Sequence, residues 1–136
     1  MVRVGDEVTD DIVLRVMVLM TLADGDIGDD EVIRMRWIHG RVAGRPVSED
    51  EVRAVIAAVR EEGIDIDTYL AHISDDIGLS AKRRLLRAAF AIATADGRIL
   101  AAEDTMMIHI AKALAIPPQE YRAALSQLRL ARELGD

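Results

Sequence analysis

Apolar side chains recur every three or four residues along most of the chain, which is the spacing of one helix face. In the first segment they stand at positions 8, 12, 16, 19 and 22. No segment alternates apolar and polar residues as a strand does. The pattern therefore predicts an all-α protein with about seven helices. These helices cover roughly residues 8–22, 29–43, 48–63, 64–77, 81–94, 101–115 and 118–133.

Local signals mark where several of these helices begin. Ser48 followed three residues later by Glu51 is a capping box, which predicts the start of the third helix. Asp65 or Asp67 is placed to cap the short fourth helix, and Ser80 is placed to cap the fifth.

The chain contains an internal repeat. A shift of 72 residues places residues 12–63 over 84–135 without a gap, and 14 of the 52 pairs are identical. The two repeats cover about residues 8–63 and 80–135. Each is predicted to form three helices, and the fourth helix joins the two repeats. A unit of about 50 residues buries little apolar surface alone. We therefore expect one domain, residues 1–136, made of two three-helix halves that pack around a pseudo-two-fold axis.

The composition indicates an aliphatic core. Hydrophobic residues make up 51% of the 136 positions, but aromatic residues only 3%. The absence of cysteine excludes disulfides and thiolate metal sites. No apolar run reaches the length of a membrane span, and the acidic N-terminal residues do not resemble a signal peptide. We therefore expect a cytoplasmic protein.

The charge is acidic and uneven. The formal net charge is −7; residues 1–68 hold 8 basic and 16 acidic side chains, whereas residues 69–136 hold 9 and 8. Because nucleic-acid binding needs a basic surface, the charge argues against a nucleic-acid partner.

The repeat includes one acidic turn in each half. Residues 23–31 read Ala-Asp-Gly-Asp-Ile-Gly-Asp-Asp-Glu, and residues 95–103 read Ala-Asp-Gly-Arg-Ile-Leu-Ala-Ala-Glu. The pattern resembles positions 5 to 12 of an EF-hand loop, but Met20 and Leu22 occupy positions 1 and 3, where that loop needs oxygen ligands. An independent calcium loop in either half is therefore not expected.

Two interpretations of the acidic turns remain. If the turns meet at the pseudo-two-fold axis, their carboxylates converge and form a shared site for a hard divalent cation such as Ca²⁺, Mg²⁺ or Mn²⁺, or for Zn²⁺. The candidate metal ligands are Asp24, Asp26, Glu31, Asp96 and Glu103.

The alternative is purely structural. Asp24 would form an Asx-turn, and Glu31 and Glu103 would cap the helices that follow from their N3 positions. Arg15 and Arg87, which correspond in the repeat, would then be the ion-pair partners of these acids.

The duplicated turn resembles the tellurite-resistance TerB family. The resemblance rests on residues 17–27 with Glu31 and on residues 91–99 with Glu103, and it covers the chain from about Asp10 to Leu130. It implies an all-helical, non-enzymatic domain of bacterial stress resistance, with acidic residues that have been suggested to bind metal. It also implies a protein partner acting in trans, membrane-associated for some members of the family.

The remaining residues give no catalytic constellation and no evident small-molecule substrate site. His39, His72 and His109 lack ligand-like spacing, and we expect them on the surface or on helix flanks. The alternative function is therefore a metal-independent protein-interaction or scaffold module. Its candidate partner-binding residues are Lys82, Arg83, Arg84, Arg87 and Trp37, although packing on the fourth helix is the favoured interpretation of Trp37.

Overall fold

The computed structural model describes the backbone of residues 4–94 and 101–133, and the side chains of residues 12–23, 25–94 and 107–130. The described chain forms seven α-helices and no strand, which confirms the all-α prediction. A 3₁₀ turn, Ser74–Asp76, follows the fourth helix. The helices are α1 (Val4–Asp24), α2 (Asp29–Ala43), α3 (Glu49–Glu62), α4 (Ile66–Ile73), α5 (Leu79–Ala93), α6 (Ala101–Ala113) and α7 (Pro118–Glu133).

Several predicted helix ends are confirmed by their hydrogen bonds. The Ser48 hydroxyl accepts the Glu51 N–H at 3.1 Å and so caps α3. The Asp65 carboxylate accepts the Thr68 N–H at 2.8 Å and caps α4. Gly63 ends α3 with φ of +64°, a left-handed conformation that glycine adopts without steric cost.

The predicted cap of α5 is wrong. The helix begins at Leu79, with Gly78 as its N-cap, so Ser80 lies inside the first turn. Gly78 has an extended backbone and provides no side-chain bond. The chain uses the glycine because glycine is also tolerated at the N-cap position.

Helix α1 is buried more completely than a single apolar stripe predicts. Val13, Val16 and Met17 have no accessible surface, and Met20 is 2% exposed. Helices α2, α3, α4 and α5 all pack against α1, so its sides as well as its predicted face are covered. A helix surrounded in this way is apolar around most of its circumference.

Helices α1 and α5 pack against each other, and the other helices are arranged around them. α2 contacts α1, α3 and α5, while α6 and α7 both pack on α5. α4 packs on α6, and the Ser74 hydroxyl after it donates to the Leu114 carbonyl at 2.9 Å. α2 and α6 begin 72 residues apart, as the repeat predicts. The pseudo-two-fold relation of the halves, and the single domain built from them, stay predictions.

None of the helices that the structure describes combines the length and the apolar character needed to cross a bilayer.

Candidate functional site

The first acidic turn connects α1 to α2 through four residues. α1 ends at Asp24, and the Gly25 N–H donates to the Leu22 carbonyl at 3.2 Å. Gly25 has φ of +144°, a backbone conformation that residues with a Cβ rarely adopt. The turn therefore requires glycine at this position. The side chain of Asp24 lies outside the described residues, and its predicted Asx-turn stays a prediction.

Glu31 caps the start of α2, as the structural interpretation predicts. Its Oε2 accepts the backbone N–H of Gly28 at 3.2 Å. A full capping box also needs a side chain at the N-cap, and the N-cap here is Gly28. The bond from Glu31 is therefore the one side-chain bond of this cap. Asp29 and Asp30 add negative charge to the same first turn, where it favours the helix dipole.

Two acids of this turn form ion pairs with α3. Arg53 donates to Asp29 at 2.7 Å and to Glu49 at 3.2 Å, and these hydrogen bonds raise the pKa of the guanidinium. The Asp26 carboxylate is fully exposed and lies 3.8 Å from the guanidinium of Arg60. The ion pairs of Asp26 and Asp29 are therefore with arginines of α3.

Among the described side chains, the ion-pair partner of Arg15 lies outside the acidic turn, which differs from the prediction. Its guanidinium donates to the Glu62 carboxylate at 2.8 Å, at the far end of α3. Arg87, its counterpart in the repeat, forms no ion pair with any residue whose side chain the structure describes. The pairing of Arg15 depends on the packing of α3 on α1, which the repeat does not specify.

A pocket of about 200 Å³ lies beside the first acidic turn. Asp26, Glu31 and Arg34 line it together with Thr21 from α1 and Ile92 from α5. Ile92 precedes Asp96 by four positions in the sequence. The pocket therefore contains two of the predicted metal ligands and part of the helix that leads to the second turn. Sequence analysis missed the contributions of Thr21, Arg34 and Ile92, because they come from three helices.

Two of the predicted metal ligands, Asp96 and Glu103, lie outside the described side chains. Asp96 lies between the described segments, and the side chain of Glu103 also falls outside the described part of the chain. Within the described side chains, no three Asp, Glu, His or Cys residues are grouped as a metal site would require. Asp26 and Glu31 alone thus provide too few oxygen ligands for Ca²⁺, which takes six to eight.

Most of the cationic side chains predicted to bind a partner lie along a groove between α5 and α7. Arg83, Arg84 and Arg87 line this groove, which has a volume of about 490 Å³. Arg83 forms an ion pair with Glu120 of α7, a contact across 37 sequence positions. Lys82 is half-buried in α5 and is not among the lining residues. The structure therefore brings three of the four predicted cations to one site.

Trp37 lies on the outer face of α2. Its side chain is 63% exposed, so the predicted packing on the fourth helix is wrong. The Arg41 guanidinium lies 4.8 Å from the ring centroid, in a cation–π arrangement. Ile33, one turn earlier, is 59% exposed. The two residues give α2 an apolar outer surface.

One of the three histidines contradicts the surface prediction. His39 has no accessible surface, and its Nδ1 lies 2.9 Å from the Arg45 carbonyl oxygen. His72 is exposed, as predicted, and His109 is exposed with its Nε2 2.7 Å from the Asp67 carboxylate. The segment after α2 covers His39, and helical spacing alone does not reveal such a contact.

The family relationship follows from a scan of protein-family models. Residues 11–126, which include both acidic turns, match the family described as Tellurite resistance protein TerB. Searches of curated proteins and of solved structures gave no match. The family match spans most of the 136 residues and agrees with the all-helical fold and the duplicated turn. The chain belongs to the TerB tellurite-resistance family.

Proposed function

We propose that this TerB domain acts in the stress response of a bacterial cytoplasm by binding one divalent cation between its two acidic turns. The ligands would be Asp26 and Glu31 from the first turn and Asp96 and Glu103 from the second, with Asp24 as a further candidate. The observation that carries the proposal is the pocket beside Glu31, because it contains acids of one turn and the α5 residue Ile92.

The donor set of this pocket suits a hard cation only if the second turn contributes. Asp26 and Glu31 supply carboxylate oxygens, which Mg²⁺, Ca²⁺ and Mn²⁺ prefer. Arg34 also lines the pocket, and its positive charge opposes a bound cation. Arg60 of α3 also pairs with Asp26, so two guanidinium groups already balance the two carboxylates. The carboxylates of Asp96 and Glu103 would supply the missing charge and ligands.

The cation would link the two halves of the chain. The first turn already contacts α3 through exposed ion pairs of Asp29 with Arg53 and of Asp26 with Arg60. A cation held from both turns would add a connection between the α1–α2 and α5–α6 segments. Binding to the folded chain alone raises its apparent stability in proportion to the logarithm of the cation concentration.

Thermal unfolding with Ca²⁺, Mg²⁺, Mn²⁺ or Zn²⁺ tests this function. We expect at least one of these ions to raise the melting temperature, and Glu31→Gln combined with Glu103→Gln to abolish the rise. Glutamine at N3 still accepts the N-cap hydrogen bond, so the variant removes charge without removing the cap. Asp50→Asn with Glu61→Gln, two exposed acids outside the turns, is the control with the same change in net charge.

The second candidate is a metal-independent protein-interaction module. The exposed apolar surface of Ile33 and Trp37 favours it, because large exposed apolar patches often mark protein interfaces. Trp37 is the only tryptophan, so its fluorescence reports directly on this surface. A protein partner would shift the emission of Trp37 in the presence of chelator. No response of the melting temperature to any of the four ions would leave this module as the function.

A further inference from the structure

The groove between α5 and α7 combines a basic rim with an apolar floor. Arg84 and Arg87 stand on α5, and Ala124, Gln127 and Leu128 stand on α7. Ala124 and Leu128 also pack against the hydrophobic core, so the floor belongs to the folded structure. The volume of about 490 Å³ falls within the usual range of binding pockets.

One end of the groove already holds a carboxylate. Glu120 of α7 forms an ion pair with Arg83 of α5. Arg84 and Arg87, farther along the same helix, form no ion pair with any residue whose side chain is described. They are three residues apart and therefore neighbours on the helix surface, where like charges repel each other. Further carboxylates along the groove would relieve this repulsion as Glu120 does for Arg83.

The charge of this region is opposite to that of the chain as a whole. α5 carries four cationic side chains and no acidic one, and α7 carries three arginines and two glutamates. The formal net charge of the whole protein is −7. Cationic side chains are thus in excess on α5 and α7, although acidic side chains are in excess in the chain as a whole. This separation attracts an acidic partner to one side of the molecule and repels it from the rest.

The geometry favours a helical segment as the occupant. The lining residues span about two helical turns on each of α5 and α7, roughly 11–12 Å. An amphipathic helix lying in a groove inserts apolar side chains at spacings of three or four residues. Its carboxylates on the adjoining face would then reach the rim. A free inorganic anion would use Arg84 and Arg87 but leave the Ala124–Leu128 floor uncovered.

We propose that the groove between α5 and α7 binds an acidic amphipathic helix of a partner protein. The apolar side chains of this helix pack on Ala124 and Leu128, and its carboxylates pair with Arg84 and Arg87. The groove shares no lining residue with the pocket at the first acidic turn, and binding of the helix does not depend on a bound cation. The acidic face of a second copy of this chain and an anionic lipid surface are the competing occupants, which the experiment distinguishes.

Selection from a displayed library of random peptides, about 14 residues long, tests the proposal on the full chain in chelator. A peptide of this length forms about four helical turns and exceeds the groove. We expect the recovered peptides to carry Asp or Glu together with Leu, Ile or Phe at helical spacing. In fluorescence anisotropy, Arg84→Glu with Arg87→Glu should weaken their binding at least tenfold. Rising salt should weaken it further, because Arg87 is exposed and Arg84 is half-buried, so that dissolved ions screen both charges.

Two further variants separate binding from folding. Lys112→Glu with Arg122→Glu makes the same change in net charge at exposed positions that do not line the groove, and it should bind the peptides much more tightly than Arg84→Glu with Arg87→Glu does. Arg84→Gln with Arg87→Gln removes the charges without adding acids, and it should also lose affinity. The melting temperature of each variant, measured without peptide, shows whether it is folded.

Four results would overturn the proposal. The first is recovery of no peptide, or of peptides without an acidic excess, and the second is equal binding of the peptides to the two charge-reversed variants. The third is binding of phosphatidylglycerol vesicles through Arg84 and Arg87 without peptide binding, which would assign the groove to lipid. The fourth is self-association of the chain that Arg84→Glu with Arg87→Glu abolishes, again without peptide binding.

Discussion

Glu31 reaches back one helical turn and accepts the backbone N–H of Gly28 at 3.2 Å, so the acid of the repeated motif begins α2. The same carboxylate lines the pocket that contains Asp26 and Ile92. Helix capping and cation binding are therefore compatible roles of one side chain. Substitutions at this position separate them, since capping needs an acceptor and cation binding needs a negative charge.

We expect Glu31→Ala to lower the free energy of unfolding by about 0.5–1 kcal/mol, because the Gly28 N–H loses its acceptor and the helix dipole loses a favourable charge. Glu31→Gln should cost clearly less, since the amide oxygen still accepts the bond. Chemical denaturation in chelator measures both. Equal losses for the two variants would show that Glu31 acts through its charge alone.

Replacing the serines at two predicted helix caps should have different effects on stability. Ser48→Ala removes the acceptor for the Glu51 N–H and should destabilise the protein by about 1 kcal/mol. Ser80→Ala should leave stability within about 0.5 kcal/mol, because Gly78 rather than Ser80 is the N-cap of α5. Urea denaturation of the two variants checks this. A larger loss for Ser80→Ala would contradict the observed start of α5.

The pH dependence of stability should include a contribution from Asp65. The Thr68 backbone N–H, and next the Thr68 side chain, lower the pKa of this carboxyl below its usual 3.8. The charged form is thus favoured in the folded state, so the stabilisation is present above pH 3.8 and is lost as pH falls through the lower folded pKa.

Asp65→Asn provides the comparison, because asparagine caps a helix without titrating. The difference in melting temperature between the unmodified chain and Asp65→Asn should be constant near neutral pH. As pH falls below about 4, the melting temperature of the unmodified chain should fall relative to that of Asp65→Asn. A difference that is independent of pH down to 3 would contradict the bond between Asp65 and Thr68.

Burial of His39 makes a fourth substitution informative. His39→Ala should destabilise the protein by roughly 2–4 kcal/mol, since it leaves a cavity and removes the hydrogen-bond partner of the Arg45 carbonyl. His72→Ala, at an exposed position, should change stability by less than about 0.5 kcal/mol. Equal effects in thermal unfolding would show that His39 is not in the core.

The elements with local signals could be predicted from the sequence. The ends of α2, the Ser48 and Gly63 ends of α3 and the Glu31 cap each depend on residues within one turn. Burial around a helix was harder to predict. Trp37 and His39 lie on either side of Ile38, yet one is exposed and the other buried. Which flank is covered depends on the segment after α2, which spacing along α2 does not encode.

Contacts between distant helices were also beyond the sequence pattern. Arg15 pairs with Glu62 and Arg83 with Glu120, across 47 and 37 positions. Neither pair is repeated in the other half, because Leu134 corresponds to Glu62, and Asp11 and Ser48 correspond to Arg83 and Glu120. The convergence of the two acidic turns stays a prediction, and nothing in the sequence indicated that Arg34 would line the pocket at Glu31. Because the positive charge of Arg34 opposes a bound metal ion, the proposed site requires the carboxylates of the second turn.

The number of ions bound per chain, measured by isothermal titration calorimetry, tests the shared cation site most directly. The unmodified chain should bind one divalent ion, and Asp26→Asn with Glu31→Gln should abolish binding. Asp96→Asn with Glu103→Gln should abolish it equally, because neither turn holds the ion alone. Two ions per chain, or one ion retained when either turn is neutralised, would contradict a site shared between the turns.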